Sequence, residues 1–520
     1  MKQHSDKIHD VILQHITAPG QLLAVETIQK PWGDQLVFTN APANLGDFFK
    51  MMLEHAEETF IVYGDERYTF REVWIRSNQV ASALQSNGIA KGDRIVIAMR
   101  NYPEWIFTFI GIVLNGGIAV PLNAWWSGPE LAAAIEDAGA NLAFVDELRS
   151  KRLKEVNASV NQVVVREKRG FTAISSFDKF VEGGQQKSLK VNVQASDDAT
   201  IFYTSGSTSY PKGVISTHQA LVNAMFNFAA FGLTQQEVEK QIGDGTVVEP
   251  EQAASLLTVP LFHITGCHSI FMVSVLIGRK IVLLDKWEPE EALMLIEKER
   301  VSTFMGVPTM SRELTEHPNF SDYDLSSLKE INAGGAARPT EHANRLFKKF
   351  PEIKAGVAYG LTETNGSGAL NIRDGYKTNP ASVGRAPEPL AELAILDEAG
   401  NQLADHEVGE IAVRSITLAR GYWNRPEDTK AAFLANGWFR TGDLGYLEGG
   451  YLTIVDRKKD MILRGGENVS CLEVESAMLS DPDVREACVF GVPENRLGEA
   501  VKAVIYTDSS TDFNESKHRV

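Results

Sequence analysis

The sequence predicts an α/β fold in which a large N-terminal domain of mostly parallel sheets with flanking helices precedes a small α+β domain. Apolar, strand-like runs such as residues 94–99 and 143–145 alternate with helical segments, among them residues 70–84, whose apolar side chains share one broad face. Strands that alternate with helices indicate a parallel sheet covered on both faces. A chain of 520 residues is also too long for a single core, so we predict at least two domains.

Two long apolar runs in the N-terminal half are predicted to be buried rather than membrane-spanning. Residues 105–122 and 269–285 approach the length of a transmembrane helix, but turn signals interrupt them at Gly116 and Gly278. Each run is therefore predicted to form a buried helix, a turn and a buried strand. Residues 1–16 mix charged with apolar residues and lack a signal-peptide core, so we expect a cytoplasmic protein without a transmembrane segment.

The pattern changes after about Gly384, where short strands and frequent turn signals replace the longer alternation. Such strands are predicted at residues 393–396, 410–413 and 451–455. We therefore predict a small antiparallel or β-barrel-like subdomain over residues 385–455.

A run of charged residues, DRKKD at 456–460, separates this subdomain from the C-terminal part. By itself, a charge run is most often a solvated turn. A helix at residues 473–479 and a strand at residues 487–490 are predicted after it. We therefore predict a large domain over residues 1–455, a connection at 456–460 and a small α+β domain over residues 461–520.

Composition limits the kinds of partner. Hydrophobic residues make up 43% and charged residues 23% of the chain, which is ordinary for a globular protein. A formal net charge of -17 argues against a nucleic-acid partner. The three cysteines, Cys267, Cys471 and Cys488, are too few for a disulfide framework and fit a reducing compartment. The sequence does not determine the oligomeric state, and a homodimer is compatible with it.

A loop rich in hydroxyl residues, YTSGSTSYPKG at residues 203–213, is the most informative segment. Its hydroxyl side chains, its glycines and Lys212 offer hydrogen-bond donors and a positive charge to a polyphosphate. The Gly-Lys-Ser/Thr ending of a Walker A loop is missing. For a loop of this composition alone, a solvated polar turn is the alternative interpretation.

Five further motifs follow the loop in a fixed order. They are PLFHITG (260–266), NAGGAARP (332–339), YGLTET (359–364), GWFRTGDLG (437–445) and VDRKKDMILRGGENV (455–469). Together with the loop they resemble the acyl-adenylate-forming (AMP-binding) superfamily, which includes acyl-CoA synthetases, luciferases and the adenylation domains of peptide synthetases. The resemblance extends from about residue 40 to residue 505.

The resemblance, which is greatest to fatty-acid acyl-CoA synthetases, implies a reaction in two steps. A carboxylate attacks the α-phosphorus of ATP to give an acyl-adenylate and pyrophosphate, and the thiol of CoA then displaces AMP. The implied cofactors are ATP, Mg²⁺ and CoA, and the implied substrate is a medium-chain, long-chain or bulky carboxylic acid. Two alternatives stay open: a related ligase that transfers the acyl group to an amine or a carrier protein, and a non-catalytic protein that binds a nucleotide or acyl-adenylate.

The resemblance also implies which residues bind the phosphates and the metal. Lys212 would hold the β- and γ-phosphates as a catalytic residue, and Glu363 would be the main Mg²⁺ ligand. A glutamate after Gly-Leu-Thr is otherwise a common residue at a helix N-terminus. The remaining phosphate-binding residues would be Thr204, Ser205, Gly206, Ser207 and Thr208, with Ser205 close to the metal.

A second implied set surrounds the nucleoside. Asp443 would accept hydrogen bonds from the ribose hydroxyls, with Arg457 beside it, whereas the alternative for Asp443 is a turn residue next to glycines. Thr364 would lie near the α-phosphate. The adenine ring would stack on Tyr359 and approach small residues closely, at Gly335, Ala336, Ala337 and Gly360.

The acyl group is predicted to lie between His263 and the segment 334–335. By resemblance, His263 is a catalytic residue at the place where acyl group, AMP and thiol meet, although a lone histidine at a strand end is usually structural. Small side chains would leave room for a bulky acyl group, at Gly266, Cys267, Gly334 and Gly335.

The resemblance further implies a rotation of the C-terminal domain about a hinge at residues 456–460, with Lys459 as its pivot. Gly465 and Gly466 would border the path of the pantetheine arm of CoA, which favours a thiol acceptor.

Two departures from the family pattern stand out. Ser209 replaces a glycine of the phosphate loop, where a side chain can carry strain on the order of 1 kcal/mol. The family's Pro-x-Thr-x-x-Gly-Lys motif, which supplies a catalytic lysine, is not found before Val520. We therefore expect an incomplete C-terminal domain.

Overall fold

The computed structural model describes the chain at residues 2–167, 175–183, 191–204, 211–242, 252–336, 338–465, 467–481, 483–494 and 496–507. The largest apolar core of this part joins helices to strands of two different sheets. Trp105 stacks on Phe109 at a ring-centre distance of 5.2 Å, and Phe49 stacks on Phe271 at 5.6 Å. These large rings are fully buried and hold the two sheets together.

The α-helices of the described residues are α1 (Lys2–Ile16), α2 (Leu45–Lys50), α3 (Phe70–Ser86), α4 (Pro103–Leu114), α5 (Gly128–Ala138), α6 (Glu147–Glu155), α7 (Phe177–Glu182), α8 (His218–Ile242), α9 (Val273–Ile277), α10 (Pro289–Glu299), α11 (Pro308–Glu316), α12 (Thr340–Lys349), α13 (Arg373–Thr378), α14 (Pro426–Ala432) and α15 (Cys471–Leu479). Short 3₁₀ helices lie at Met51–His55, Phe320–Asp322 and Thr362–Thr364, and a π-helix at Thr265–Met272.

The strands are β1 (Val25–Lys30), β2 (Gly33–Phe38), β3 (Thr59–Tyr63), β4 (Glu66–Thr69), β5 (Arg94–Ala98), β6 (Ile118–Pro121), β7 (Leu142–Asp146), β8 (Asn161–Val165), β9 (Ser175–Ser176), β10 (Asp198–Thr204), β11 (Lys212–Thr217), β12 (Ala254–Leu257), β13 (Lys280–Leu283), β14 (Thr303–Gly306), β15 (Glu330–Gly334), β16 (Lys354–Tyr359), β17 (Ala369–Ile372), β18 (Ala391–Leu396), β19 (Gly409–Ser415), β20 (Gly421–Tyr422), β21 (Phe439–Glu448), β22 (Tyr451–Arg457), β23 (Ile462–Arg464), β24 (Glu467–Val469), β25 (Val484–Glu494) and β26 (Gly498–Thr507).

Two eight-stranded sheets dominate the N-terminal part. Their strand orders are β20-β11-β10-β6-β5-β7-β8-β9 and β17-β16-β15-β14-β12-β13-β3-β4. In both sheets the central strands are parallel and the antiparallel pairs lie towards the edges. This confirms the predicted α/β fold with mostly parallel sheets.

The local sequence explains why the predicted elements form. At the start of α3 the Thr69 hydroxyl accepts a hydrogen bond from the Glu72 amide, and the Glu72 carboxylate accepts one from the Thr69 amide. The apolar run after Pro103 divides as predicted into α4, a turn at Gly116 with φ of 71°, and β6. Within the described residues, no helix is both long and apolar enough to cross a membrane.

The C-terminal half contains two smaller antiparallel sheets, with strand orders β18-β19-β21-β22 and β24-β23-β26-β25. The first is the predicted antiparallel unit, but one strand of the same region, β20, leaves it and pairs with β11 of the large sheet. The second sheet packs against α15, and together they form the predicted small α+β domain.

Candidate active site

Three of the motif segments lie at the carboxyl ends of neighbouring parallel strands. Strands β12, β14, β15 and β16 are parallel. Residues 260–266 follow β12, Gly335 and Ala336 follow β15, and Tyr359 ends β16. The carboxyl ends of parallel strands meet at one edge of a sheet, where α/β folds commonly bind ligands. The topology therefore gathers residues that are distant in sequence.

The side chain of Tyr422 connects the end of the phosphate loop to Glu363. The Lys212 Nζ atom lies 2.9 Å from Asp428 Oδ1 and 5.1 Å from the centre of the Tyr422 ring. The Tyr422 hydroxyl donates a hydrogen bond to Glu363 Oε1 at 2.8 Å. The predicted phosphate-binding cation and the predicted metal ligand thus share one neighbour, Tyr422.

The Glu363 carboxyl lies in a place that disfavours its charge. The residue is 8% exposed, and burial raises its pKa although the hydrogen bond from Tyr422 and the charge of Lys212 act in the opposite direction. The backbone holds it there, because its carbonyl oxygen accepts a hydrogen bond from the Ala419 amide at 2.8 Å. A buried carboxylate of this kind is stabilised when a cation binds beside it.

Asp443 contacts two other residues that are predicted to bind the nucleoside. It faces Arg457 across β21 and β22, with Arg457 Nε 3.6 Å from Asp443 Oδ1. The Tyr359 hydroxyl donates to Asp443 Oδ2 at 2.7 Å. Asp443 is 7% exposed, and burial raises its pKa while the bond from Tyr359 lowers it. The structure therefore brings these three residues together.

Open space borders Gly335. Its φ of +79° favours glycine, and of the residues that the structure describes a methyl group in place of its hydrogen would have only Thr265 Oγ1 within 4 Å, at 3.9 Å. A methyl group on Gly334 would instead lie 3.3 Å from the Met305 side chain. The space at Gly335 faces the segment that carries His263, which is where the sequence predicts the acyl group.

The backbone at Gly266 and the side chain of Cys267 are closely packed, and their place in the acyl pocket stays a prediction. A methyl group on Gly266 would lie 2.4 Å from the Pro260 carbonyl oxygen. Cys267 is fully buried in the largest core, and burial raises the pKa of its thiol. The small residues here allow the π-helix to pack against the preceding turn.

His263 is partly buried next to Phe262, with 4.6 Å between the ring centres. Burial lowers the pKa of the imidazole, so His263 is neutral at neutral pH. Its predicted role at the reaction centre stays a prediction.

The phosphate loop begins and ends on a β-hairpin. Thr204 pairs with Lys212 at the end of the antiparallel strands β10 and β11. Six predicted binding residues lie outside the described residues: Ser205, Gly206, Ser207 and Thr208 of the phosphate loop, Ala337 at the adenine and Gly466 on the CoA path. Ser209, where we expect strain in the loop, lies outside them as well.

Thr364 and Gly360 shape the turn that carries Glu363. The Thr364 hydroxyl accepts a hydrogen bond from the Leu361 amide and donates one to the Leu361 carbonyl, both at 3.1 Å. A methyl group on Gly360 would lie 2.4 Å from the Gly366 carbonyl oxygen. These contacts are structural, and the predicted contacts of both residues with the nucleotide stay predictions.

The predicted hinge residue, Lys459, lies in an exposed turn directly after β22. The small domain is held near this turn by Asp456, whose carboxylate accepts a hydrogen bond from the Cys471 amide at 2.6 Å. Gly465 has a φ of 61°, and its amide donates to the Leu497 carbonyl at 2.7 Å. The hinge and CoA-path roles stay predictions.

Sequence reasoning missed Tyr422 and Asp428. Both lie in the segment GYWNRPEDT at residues 421–429, which carries none of the ordered motifs. They reach the site because β20 pairs with β11, a tertiary contact without a local signal. The acidic residues at the start of α14 are the one feature of this segment that indicated a cation partner.

Comparison with known proteins agrees with this arrangement. The model of the family "AMP-binding enzyme" matches residues 48–423, and that of the "AMP-binding enzyme C-terminal domain" matches residues 473–519. A C-terminal domain of this family is therefore present in this chain. The prediction about the lysine motif concerns residues after Thr507, which lie outside the described part.

The names of several relatives describe the formation of CoA thioesters. A long-chain-fatty-acid–CoA ligase of Bacillus subtilis (strain 168) is 33% identical over 480 residues, covering 86% of this chain and 82% of that protein. A feruloyl-CoA synthase of Amycolatopsis sp. is 30% identical over 466 residues, covering 87% and 86%. Among solved structures, the o-succinylbenzoate CoA synthetase (MenE) of Bacillus subtilis, in complex with the acyl-adenylate intermediate OSB-AMP, has a TM-score of 0.76 and 27% identity over 90% of each chain.

The matches cover most of the chain, and the first family model includes the segments that carry Lys212, Glu363 and Tyr422. They confirm the predicted reaction class, activation of a carboxylic acid by ATP followed by formation of a CoA thioester. The chain belongs to the AMP-binding enzyme family, as an acid–thiol ligase of the AMP-forming acyl-CoA synthetase class.

Proposed function

We propose that this protein activates a medium-chain, long-chain or otherwise bulky carboxylic acid as its acyl-adenylate and transfers the acyl group to CoA. The observation that carries the proposal is that two residue groups, built from three sheets, lie at the end of β16 and at the turn that follows it. Lys212, Tyr422 and Glu363 form the first group, and Asp443 with Tyr359 forms the second. The Lys212 cation suits the phosphates of MgATP, the buried Glu363 carboxylate suits the metal, and the Asp443 carboxylate suits the ribose hydroxyls.

Mg²⁺ fits the chemistry of the first group. Tyr422 occupies Glu363 Oε1, which leaves Oε2 as a ligand, and the raised pKa of this carboxyl means that a bound cation would stabilise its charged form. Mg²⁺ in nucleotide sites commonly has one or two carboxylate ligands, with phosphate oxygens and waters completing the shell. Glu363 would hold it, with Ser205 nearby, and the metal would neutralise phosphate charge.

Lys212 supports the first step because two anions, a carboxylate and a triphosphate, must approach each other. Oriented cations stabilise the charge that develops at such a centre. Lys212 now pairs with Asp428, so we propose that it exchanges this partner for the β- and γ-phosphates when ATP binds. Thr204, at the other end of the hairpin, would contribute its hydroxyl to the same phosphates.

The nucleoside would be held by the second group. The two carboxylate oxygens of Asp443 are directed to Arg457 and Tyr359, and the vicinal diol of ribose would replace or join the contact with Arg457. The Tyr359 ring and the backbone at Gly335 and Ala336 would enclose the adenine. Thr364 and Gly360 would fix the loop between them.

The acyl group would occupy the space between Gly335 and the segment of His263 and Thr265. Because burial keeps the imidazole of His263 neutral, it would act as a hydrogen-bond partner and not as a source of positive charge. The relatives that act on long-chain fatty acids and on ferulate favour an acid with a large apolar part.

For the second step, Lys459 would be the pivot about which the small domain turns, and Gly465 and Gly466 would border the entering thiol. We propose that the reaction takes place in the cytoplasm, where ATP and CoA are both present.

The experiment is a screen of carboxylic acids in which AMP release and loss of the CoA thiol are followed together. We expect both signals to rise in equal amounts with octanoate, palmitate or a phenylpropenoic acid, and to stay near background with acetate. AMP release without thiol loss, restored by an added amine, would instead support transfer to an amine. Lys212→Met serves as the control that should remove both signals.

A further inference from the structure

A small basic cavity lies between α11 and α12, and one of its lining residues, Arg338, ends the motif at residues 332–339. Its volume is about 60 Å³, which is room for roughly four water-sized groups. Arg312, Arg338, Arg345 and Lys349 line it, against a single acidic lining residue, Glu316. None of the described residues assigned to ATP, CoA or the acid is part of this lining.

Arg338 is the unusual residue of the cavity. It is 8% exposed, and none of its guanidinium nitrogens has a hydrogen-bond partner among the described residues. The neighbouring Tyr376, whose ring centre lies 5.8 Å from the guanidinium carbon, stabilises the charge of Arg338 but is itself neutral, so it supplies no anion. Buried arginines are almost always paired, so an unpaired one that lines a cavity indicates a missing anionic partner.

His342 gives a second, independent indication. Neither of its ring nitrogens has a hydrogen-bond partner within the described part of the chain. Burial, followed by the charges of Arg312, Arg345 and Arg338, lowers its pKa to about 4. The neutral imidazole thus keeps one N–H donor free for a ligand.

The other cations form the frame of the cavity. Arg312 donates to the Arg485 carbonyl at 2.7 Å and to Glu486 at 2.6 Å, Arg345 donates to the Leu479 carbonyl at 3.3 Å, and Lys349 donates to the Thr315 carbonyl. Glu486 and Glu341 pair with Arg312 and Arg345 and offset part of their charge, while the hydrogen bonds of all three cations hold the walls of the cavity in place.

We propose that this cavity binds a compact phosphate-type oxyanion, with Arg338 as its principal donor and His342 as a second. The planar guanidinium offers parallel N–H groups that match two oxygens of a phosphate. The volume limits the ligand to one phosphate group, which belongs either to free phosphate or to the end of a larger molecule. The proposal is independent of the proposed function, because the cavity shares no assigned residue with the active site.

The test is calorimetric titration of the full chain with inorganic phosphate. Lys212→Met, which weakens phosphate binding in the active site, should retain the cavity site. In that background Arg338→Met should lower the phosphate affinity about tenfold or more. Arg338→Lys should have an affinity between those of the Lys212→Met protein and the Arg338→Met variant, because lysine keeps the positive charge but lacks the parallel N–H groups of the guanidinium. Arg300→Met, a change at an exposed arginine paired with Asp324, is the matched control and should have no effect.

Thermal unfolding provides a readout that a merely structural role would not give. Without phosphate, Arg338→Met should raise the Tm, because it removes a buried unpaired charge. Added phosphate should then raise the Tm of the Lys212→Met protein but not that of the double variant. An equal phosphate response in both proteins, or a lower Tm of Arg338→Met in phosphate-free buffer, would overturn the proposal. Competition by CoA identifies its phosphate as the source, whereas competition by pyrophosphate alone identifies an inorganic ligand.

Discussion

At the scale of single residues, Glu363 and Asp443 are carboxyl groups that the fold keeps in places that are costly for a charge. Both are less than a tenth exposed, and burial raises the pKa of both. Each also receives a hydrogen bond from a tyrosine, Tyr422 or Tyr359, that orients one of its oxygens. The free-energy cost of burying each charge is offset when a cation or the ribose hydroxyls bind. These residues therefore contribute more to ligand binding than to the stability of the free protein.

The stability of the free protein should show this cost at Glu363. Because its pKa in the folded protein lies above the ordinary 4.5, stability is lost as pH rises from 4.5 through the folded pKa. Glu363→Gln carries no charge, so at pH 7 its free energy of unfolding should exceed that of the wild type by about 1.4 kcal/mol for each tenfold change in proton affinity. Denaturant unfolding should show the two proteins converging below pH 4.5.

In the same variant, Mg²⁺ should no longer strengthen ATP binding, because glutamine offers the metal no charge. Glu427→Gln, at an exposed glutamate of α14, is the matched control. A Glu363→Gln protein that is less stable than the wild type at pH 7 would contradict the account of this carboxyl.

Asp443→Ala should weaken AMP binding by about 2–3 kcal/mol, because a charge-assisted pair with the ribose is lost. Calorimetry with AMP measures this directly. Asp405→Ala, at an exposed aspartate that accepts a hydrogen bond from the Gly449 amide, should bind AMP like the wild type. Unchanged AMP affinity in a folded Asp443→Ala protein would remove Asp443 from the ribose site.

At the scale of elements, the site depends on the hairpin of β10 and β11 and on the short strand β20 beside it. The Trp423 amide donates to the Gly213 carbonyl at 2.7 Å, which fixes β20 next to the end of the phosphate loop. This contact places Tyr422 and Asp428 next to Lys212. The hairpin therefore presents its lysine already paired, and ATP competes with a carboxylate for it.

Asp428→Asn should free Lys212 and tighten ATP binding several-fold, because an ion pair at a partly exposed position is worth about 0–1 kcal/mol. AMP affinity should not change, because AMP has no β- or γ-phosphate. Titrations with ATP and AMP distinguish these outcomes, and Glu427→Gln on the same helix turn is the control. Weaker ATP binding would mean that Asp428 positions Lys212 instead of competing for it.

Gly266→Ala should destabilise the turn before the π-helix, since its methyl group would lie 2.4 Å from the Pro260 carbonyl oxygen. We expect a loss of about 1–3 kcal/mol in unfolding free energy and a lower rate through displacement of His263. Gly232→Ala is the matched control, because a methyl group there meets no described residue within 4 Å and replaces a helical glycine. That variant should gain up to about 1 kcal/mol. Similar stability of both variants would refute the close contact.

The sequence was informative where chemistry depends on short ordered motifs and uninformative where it depends on tertiary pairing. The motifs predicted Glu363, Asp443, Tyr359 and Arg457, and the structure brings them together. The side chains of Tyr422 and Asp428 were not predictable, because only the pairing of β20 with β11 brings them near Lys212.

Glycine positions show a second limit. Small side chains predict either open space or close packing, and the sequence does not tell these apart. The structure shows open space at Gly335 and a tightly packed backbone at Gly266.

At the scale of the whole molecule, the small domain is joined to the large one by a few polar contacts and the turn at residues 458–460. Arg312 reaches Glu486, Arg345 reaches the Leu479 carbonyl, and Ser470 donates to the Val455 carbonyl at 2.9 Å. Contacts of this number and polarity permit relative motion of the domains. A reaction with two different attacking groups can use such motion to present two different faces of the small domain.

Lys459→Pro should therefore impair one half-reaction far more than the other, because proline fixes φ near about −65° and cannot absorb a rotation. Adenylation and thioester formation from supplied acyl-adenylate are measured separately. Lys459→Ala, which retains backbone freedom, should affect neither step strongly. Equal losses in both steps of the proline variant would place the pivot elsewhere.

The central claim is that the site at the sheet edge uses ATP to activate a carboxylic acid, and ATP–pyrophosphate exchange tests it most directly. Labelled pyrophosphate should enter ATP only when Mg²⁺ and a bulky acid such as octanoate or palmitate are both present, without any need for CoA. Glu363→Gln and Lys212→Met should reduce this exchange by a factor of about 10²–10³. Tight ATP binding by the wild type without acid-dependent exchange for any acid tested would contradict the claim and indicate a protein that binds nucleotides without activating acids.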